Sequence, residues 1–281
     1  MDTAYLDGQF LPLHEARVPV LDRGYLFADG AYEVMPSYGG RIFALDAHLE
    51  RLELSLAALF LPNPLTRAQW REMLDELVRR NGGGDLTIYL QVSRGVQPLR
   101  SFALPKNPTP CVLALCQPLP PVTEAIRQQG VTAVSHEDTR WLNCHIKSIA
   151  LLGAVMLSNE ALKAGCNEVI LFRDGKLTEG GSSNVFIVRG GKVATPPKSR
   201  LILAGVTRDI VLRSLRAEGI ACEEREIPEI ELRGADEIWI SSSTREIFPV
   251  TRLDDRAVGN GKPGPVWARA FALYQDCKAR P

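Results

Sequence analysis

Four turn-forming pairs constrain this chain more than any other feature. Asp7-Gly8, Gly39-Gly40, Asp174-Gly175 and Gly190-Gly191 each lie between short runs that read as strands. Such pairs tolerate the positive φ of a tight hairpin, so the strands they join run antiparallel. The flanking runs are Ala4–Leu6 with Phe10–Leu11, Tyr32–Tyr38 with Arg41–Ala44, Glu168–Arg173 with Lys176–Glu179, and Val185–Val188 with Lys192–Ala194. Elsewhere the hydrophobic period changes. Leu49, Leu52, Leu56, Leu59 and Phe60 recur every three or four residues, which is one face of a helix. Thr66 and Gln69 form a capping-box pattern ahead of the apolar face Trp70, Met73, Leu74, Leu77 and Val78, and Asn81-Gly82 ends that helix. Thr87–Ser93, Cys111–Cys116, Val131–Ser135 and Glu237–Ser241 read as further strands, and Ser148–Ala164, Thr207–Glu218 and Pro265–Cys277 as further helices. No regular βαβ alternation emerges, so the expectation is an α+β fold with largely antiparallel sheets.

A chain of 281 residues is long enough for two domains. The cluster Gln117-Pro118-Leu119-Pro120-Pro121 cannot supply ladder donors and favours extended backbone, which suits a linker. The expected division is an N-terminal domain over 1–117, a linker over 118–130 and a C-terminal domain over 131–281. Lys plus Arg equals Asp plus Glu, giving a formal net charge of zero. That balance argues against a nucleic-acid binder, which needs a basic excess. No stretch approaches the roughly 20 apolar residues of a membrane span, and Met1–Phe10 lacks the basic start and apolar run of a signal peptide. The six cysteines show no metal-ligand spacing and read as buried, reduced thiols. The expectation is a cytoplasmic protein with no resident metal.

Four segments carry possible chemistry. Most of the eight lysines stand beside turn residues, as Lys106, Lys176, Lys192, Lys198 and Lys262 do. Lys147 instead follows Trp141-Leu142-Asn143-Cys144-His145-Ile146 and leads into an apolar stretch. Partial burial there lowers the ammonium pKa and makes the amine a nucleophile toward an aldehyde; the alternative is a lysine that snorkels to solvent. In Leu201–Asp209 an apolar run, Gly205, and a helix start at Val206-Thr207 offer unpaired N–H groups and a hydroxyl to an anion, or else a simple threonine cap. Ser241-Ser242-Ser243-Thr244 offers a second set of hydroxyl donors, or a serine-rich loop. Glu179, before Gly180-Gly181-Ser182-Ser183, is a carboxylate able to hold a proton on a ring nitrogen, or a turn residue. Singly each is weak. Together they supply an imine-forming amine, two anion-binding elements and a carboxylate.

These segments resemble the fold-type IV pyridoxal-phosphate enzymes, the group of D-amino acid transaminases, branched-chain aminotransferases and aminodeoxychorismate lyases. The resemblance runs nearly end to end. It covers Leu21-Asp22-Arg23-Gly24-Tyr25 through Val34, His48–Leu52, Ile88–Gly95, Arg140–Ser148, Thr178–Gly180 with Ser183–Phe186, Gly205–Asp209 and Ser242–Thr244. The Asp-Arg-Gly-Tyr and Arg-Trp-Leu…Ile-Lys-Ser segments look most like the D-alanine transaminases of that group. The resemblance implies two domains with pyridoxal 5'-phosphate in the cleft between them, and a homodimer. It implies that Lys147 forms the imine and shuttles the α-proton, and that Glu179 pairs with the pyridine nitrogen. Arg51, Val206, Thr207 and Ser243 would hold the phosphate, Ser182 and Ser183 would lie near the ring, and Tyr32 and Arg140 would sit beside cofactor and substrate. The reaction implied is ping-pong transamination between a small amino acid and a 2-oxo acid, D-alanine with 2-oxoglutarate first. The alternatives are aminodeoxychorismate lyase, branched-chain L-amino acid aminotransferase, or a non-catalytic cofactor binder. One segment departs from the family. Where relatives carry Pro-Arg-x-His-x-Phe-Pro to trap the substrate carboxylate, this chain has Pro98-Leu99-Arg100-Ser101-Phe102-Ala103-Leu104-Pro105. The histidine is missing and the arginine is displaced by one, leaving Arg100 as the candidate carboxylate partner.

Overall fold

The computed structural model describes residues 2–279, which divide into two compact units. Unit 1 comprises the described residues up to Pro120 together with Ile146–Leu151, and unit 2 comprises Pro121–His145 and the described residues from Leu152 onward.

Unit 1 is built on a six-stranded sheet ordered β2-β1-β6-β5-β3-β4. Its strands are β1 (Thr3–Leu6), β2 (Gln9–Pro12), β3 (Gly30–Tyr38), β4 (Arg41–Ile42), β5 (Leu86–Ser93) and β6 (Cys111–Pro118), and every pairing is antiparallel. The Asp7-Gly8 and Gly39-Gly40 turns take positive φ at all four residues, as tight hairpins demand. Helix α1 (Arg23–Phe27) is capped by Asp22, whose carboxylate accepts from the Gly24 N–H at 2.7 Å. Helices α2 (Leu45–Ala58) and α3 (Arg67–Arg80) cover the sheet, α2 over β3 and α3 over β6. The Thr66–Gln69 capping box forms with both of its reciprocal bonds. Between helices and sheet lies one core of Met35, Leu49, Leu52, Leu56, Trp70, Leu74, Leu77, Ile88 and Leu90.

The alternation along β3 places an acid among these apolar side chains. Ala31, Glu33 and Met35 are buried, while Tyr32 and Val34 alternate with them on the other face. The Glu33 carboxylate thereby points at the face that α2 covers.

Unit 2 carries a nine-stranded sheet ordered β12-β11-β10-β13-β14-β7-β8-β9, with β15 paired to β14. The strands are β7 (Val131–Glu137), β8 (Glu168–Arg173), β9 (Lys176–Gly180), β10 (Asn184–Arg189), β11 (Lys192–Thr195), β12 (Cys222–Glu224), β13 (Glu237–Ser242), β14 (Glu246–Leu253) and β15 (Arg256–Ala257). The helices are α4 (Glu124–Gln129), α5 (Leu152–Lys163), α6 (Val206–Ala217), α7 (Glu229–Arg233) and α8 (Pro265–Ala279). Among the described residues no helix is long and apolar enough to cross a membrane.

The structure adds detail to the sequence reading in two places and departs from it in one. Most strand pairings are antiparallel, as expected, but the second sheet is mixed, because β7 pairs parallel with both β8 and β14, and β11 with β12. Parallel neighbours need a crossover, and the chain from Glu137 to Glu168 supplies it for β7 and β8. The helix expected from Ser148 starts at Leu152, because the residues before it bond to β3: Ser148 bridges Ala31 and the Ile149 N–H donates to Gly30 O at 3.0 Å. Within residues 118–130, expected to be a linker, 119–123 have no regular secondary structure and the units divide between Pro120 and Pro121, while both ends of the stretch are ordered. Pro118 still pairs with Leu86, Thr123 caps α4 through the Ile126 N–H, and α4 packs on β14. Of the cysteines, Cys111, Cys116 and Cys144 are buried, whereas Cys166, Cys222 and Cys277 are partly exposed.

Candidate active site

In unit 1 the free edge of β3 receives the lysine segment. The Tyr32 N–H donates to Lys147 O at 2.9 Å, and the Lys147 N–H donates to the Ser55 hydroxyl at 3.1 Å. Lys147 is half-buried, as expected, and its Nζ lies 4.0 Å from the centroid of the Tyr32 ring. An ammonium over an aromatic face is held by the ring quadrupole, so two of the expected residues, Tyr32 and Lys147, do meet.

Arg51 is buried and gripped. Its Nε and Nη2 donate to the two oxygens of Glu33 at 2.8 and 2.7 Å, and His48 Nδ1 lies 2.8 Å from Glu33 Oε2. Glu33 has no exposed surface and His48 is 1% exposed. Burial pushes the Glu33 carboxyl up, but the Arg51 charge and the bonds from Arg51 and His48 outweigh it and hold it well below the usual carboxylate range. Burial holds His48 below its ordinary value, against the pull of Glu33. Arg100 is exposed, and its guanidinium stacks 4.9 Å from the Phe27 ring and 5.6 Å from the Phe102 ring.

In unit 2, Glu179 lies near the end of β9 with its side chain buried. Oε1 accepts from Arg140 Nη1 at 2.8 Å, and Oε2 accepts from the Leu203 N–H at 2.9 Å and Asn184 Nδ2 at 3.3 Å. Burial pushes its carboxyl up to about 7, against the Arg140 charge and the Leu203 N–H. Arg140, expected beside the substrate, is held by two acids, since Asp138 also takes its Nε and Nη2 at 2.9 and 2.8 Å. Asp138 is itself fixed by the Thr178 hydroxyl at 2.9 Å and paired with Arg173 at 3.3 Å. The arginine is therefore built into the support of Glu179.

The anion-binding elements take definite form. Gly205, not Thr207, is the cap residue of α6, so Val206, Thr207 and Arg208 form its first turn, where N–H groups have no intrahelical acceptor. A side chain at 205 is excluded, because a Cβ there would lie 1.9 Å from Asn184 Oδ1. Asn184 also donates to Leu203 O at 2.9 Å, so one amide ties Glu179 to the approach to α6. Ser241 and Ser242 belong to β13, while Ser243 sits in the turn that follows. The Ser241 hydroxyl is buried with no hydrogen-bond partner among the described residues. Ser182 is exposed, and the Ser183 hydroxyl donates to Glu168 at 2.8 Å, an acid also paired with Arg245 at 2.8 Å. Unit 1 thus offers an amine on an anchored backbone, and unit 2 offers a supported carboxylate, N–H groups at a helix start and a buried hydroxyl, each a group that an aldehyde cofactor with an anionic tail can use.

Sequence reasoning missed Glu33, His48, Ser55, Asp138 and Asn184. A signal existed for the helical pair. His48 and Ser55 lie seven apart, with Arg51 between them, flanking the leucine stripe of α2, and polar residues beside an apolar stripe must find buried partners. Asp138 and Asn184 carried no such signal.

Residues 30–253 match the amino-transferase class IV family model. The chain is 41% identical to the D-alanine aminotransferase of Bacillus licheniformis, over 96% of this chain and 95% of that protein. It is 40% identical to the D-alanine aminotransferase of Listeria monocytogenes, over 93% and 91% respectively. It is similar in structure to the branched-chain aminotransferase of Thermoproteus uzoniensis solved with norvaline, with a TM-score of 0.90 at 28% identity, covering 98% of this chain and 94% of that one. With its α+β fold and these relatives, this chain belongs to the class IV aminotransferase family.

Proposed function

We propose that this aminotransferase moves amino groups between D-amino acids and 2-oxo acids, with D-alanine and 2-oxoglutarate as the first pair and pyridoxal phosphate as cofactor. The observation that carries this reading is the 41% identity to a D-alanine aminotransferase over nearly the full length of both chains. When bound, pyridoxal phosphate supplies the electron sink that makes the α-proton of an amino acid acidic.

The residues divide the remaining work. Lys147 would hold the cofactor through its Nζ and, as a free amine, would take the α-proton of the amino acid. Its position against the Tyr32 ring favours a held, directed amine. Glu179 would hold a proton at the cofactor's ring nitrogen, and Arg140 orients that carboxylate through the 2.8 Å bond between them. Arg51, the N–H groups of Val206 and Thr207, and the hydroxyls of Thr207 and Ser243 would hold the phosphate, the helix start favouring an anion. Glu33 presets the Arg51 guanidinium. Ser182 and Ser183 line the ring side, Ser183 being oriented by Glu168. Tyr32 and Arg100 face the substrate, Arg100 meeting its carboxylate.

The working state is a homodimer in the cytoplasm. Leu152, Val155, Met156 and Leu162 of α5 are 59–72% exposed, an apolar face that suits a second copy. Light scattering on the purified protein reports the dimer mass.

The test is a half-reaction scan. The loaded protein is mixed with D- and L-amino acids in turn while the bound-cofactor absorbance is followed. D-alanine should discharge it fastest. Discharge by L-leucine in preference to D-alanine, or release of p-aminobenzoate from aminodeoxychorismate, would refute the assignment.

A further inference from the structure

Lysine reaches its target on a flexible four-carbon stem, so the place of Nζ depends on how firmly its backbone is held. The segment Ile146–Leu151 is short, and the chain on either side of it belongs to unit 2. Three hydrogen bonds fasten it to unit 1: Ile149 N–H to Gly30 O at 3.0 Å, Tyr32 N–H to Lys147 O at 2.9 Å, and Lys147 N–H to Ser55 Oγ at 3.1 Å. Gly30 makes room for this docking, since a Cβ there would lie 2.5 Å from Val92 O and 3.0 Å from Ile149 Cδ1. The first two bonds run between backbone groups and survive most substitutions. The third depends on one side chain.

We propose that Ser55 is a positioning residue for Lys147, clamping the backbone from which the reactive amine projects. The inference rests on the reading of Lys147 as that amine. Ser55 is 2% exposed and lies one turn beyond Arg51 on the face of α2 that carries His48 and Arg51. One helical face thereby orients both the lysine and the arginine assigned to the cofactor. With the hydroxyl removed, the Lys147 N–H has no acceptor at that place, and the segment relaxes toward one that satisfies it. A displacement on the order of 1 Å is enough to separate an amine from the carbon whose proton it takes.

The experiment compares wild type with Ser55→Ala and with Ser55→Cys, which keeps the volume but offers a weaker acceptor. Single-turnover rates are measured per bound cofactor with D-alanine and with its α-deuterated form. The melting temperature of the cofactor-free protein is recorded alongside, and the borohydride-fixed cofactor adduct is mapped by mass spectrometry. Ser55→Ala should lose roughly tenfold in rate at saturating amino acid, with KM moving less than about twofold, and its deuterium isotope effect should rise because proton transfer to a displaced amine becomes limiting. Ser55→Cys should fall between. If Ser55→Ala does not fold, the cysteine variant carries the comparison. An adduct on Lys147 together with wild-type rates and isotope effect in both variants overturns the inference alone. A fall in melting temperature with an unchanged isotope effect assigns Ser55 to stability and overturns it equally. A wild-type adduct on any other lysine removes the Lys147 reading and this inference with it.

Discussion

Replacing Glu33 with alanine removes the acid that holds Arg51 and His48 together inside unit 1. Three bonds are lost, at 2.8, 2.8 and 2.7 Å, and the Arg51 guanidinium stays behind in a residue only 8% exposed. Charge-assisted hydrogen bonds contribute about 1.5–3 kcal/mol each, but three bonds to one group are not additive. The better guide is the cost of stranding one partner of a buried ion pair, about 3–5 kcal/mol. Replacing both Glu33 and Arg51 with leucine should recover most of that loss, because no charge is then left buried alone. Because the change lies in unit 1, the assay is hydrogen exchange of peptides from α2 and β3, which reports the opening of that unit directly. Glu33→Ala should lower the opening free energy of those peptides by about 3–5 kcal/mol and leave peptides of β10 and β13 unchanged. A loss under about 1 kcal/mol, well below the buried-pair range, or a double variant no more stable than the single, would show that the triad is not the electrostatic clamp described. The pH dependence has a definite sign. The folded pKa of Glu33 lies below its ordinary 4.5, so its contribution is full above that pH and is lost as pH falls below it.

Lys147→Ala should abolish both the borohydride-fixed adduct and turnover, measured by mass spectrometry and a coupled pyruvate assay; turnover at the wild-type rate would refute the central assignment. Glu179 has a folded pKa raised from 4.5 to about 7, so the cofactor-free protein loses stability as pH rises through that window. The difference corresponds to roughly 3 kcal/mol, and urea titrations of Glu179→Gln between about pH 4 and 8 should lack it, while transamination by that variant falls at least tenfold. Gly205→Ala drives a methyl group into Asn184 Oδ1, and equilibrium binding should show cofactor affinity reduced by tenfold or more, whereas pyridoxal without its phosphate should bind as in wild type.

The hairpins were legible because their turns are local. Asp7-Gly8 and Gly39-Gly40 adopt the positive φ their residue types allow, whatever lies beyond them. The two longer helices of unit 1 were legible for the same reason, with α3 beginning at the capping box its sequence announces. The start of α5 was not. Ser148–Leu151 has an apolar composition compatible with helix, but its backbone bonds go to β3, and a strand more than a hundred residues earlier in the chain leaves no trace in local composition. The parallel pairing of β7 with two neighbours was likewise hidden, because parallel strands are joined by long crossovers rather than by a readable turn.

Of the candidate site, sequence alone determined which chemical groups are available: a lysine in a charge-poor stretch outside the turns, a glutamate before a glycine pair, a glycine at a helix start and a run of serines. Those follow from residue type and spacing, which are fixed when the chain is written. What those groups touch was decided only by the tertiary structure. It buried Glu33 and Arg51 against each other, closed Arg140 onto Asp138 and Glu179, and set Ser55 under the lysine backbone. Burial and partnership are properties of contacts between residues distant in sequence, and they set whether a carboxylate is held far below its ordinary pKa, as in Glu33, or pushed up, as in Glu179.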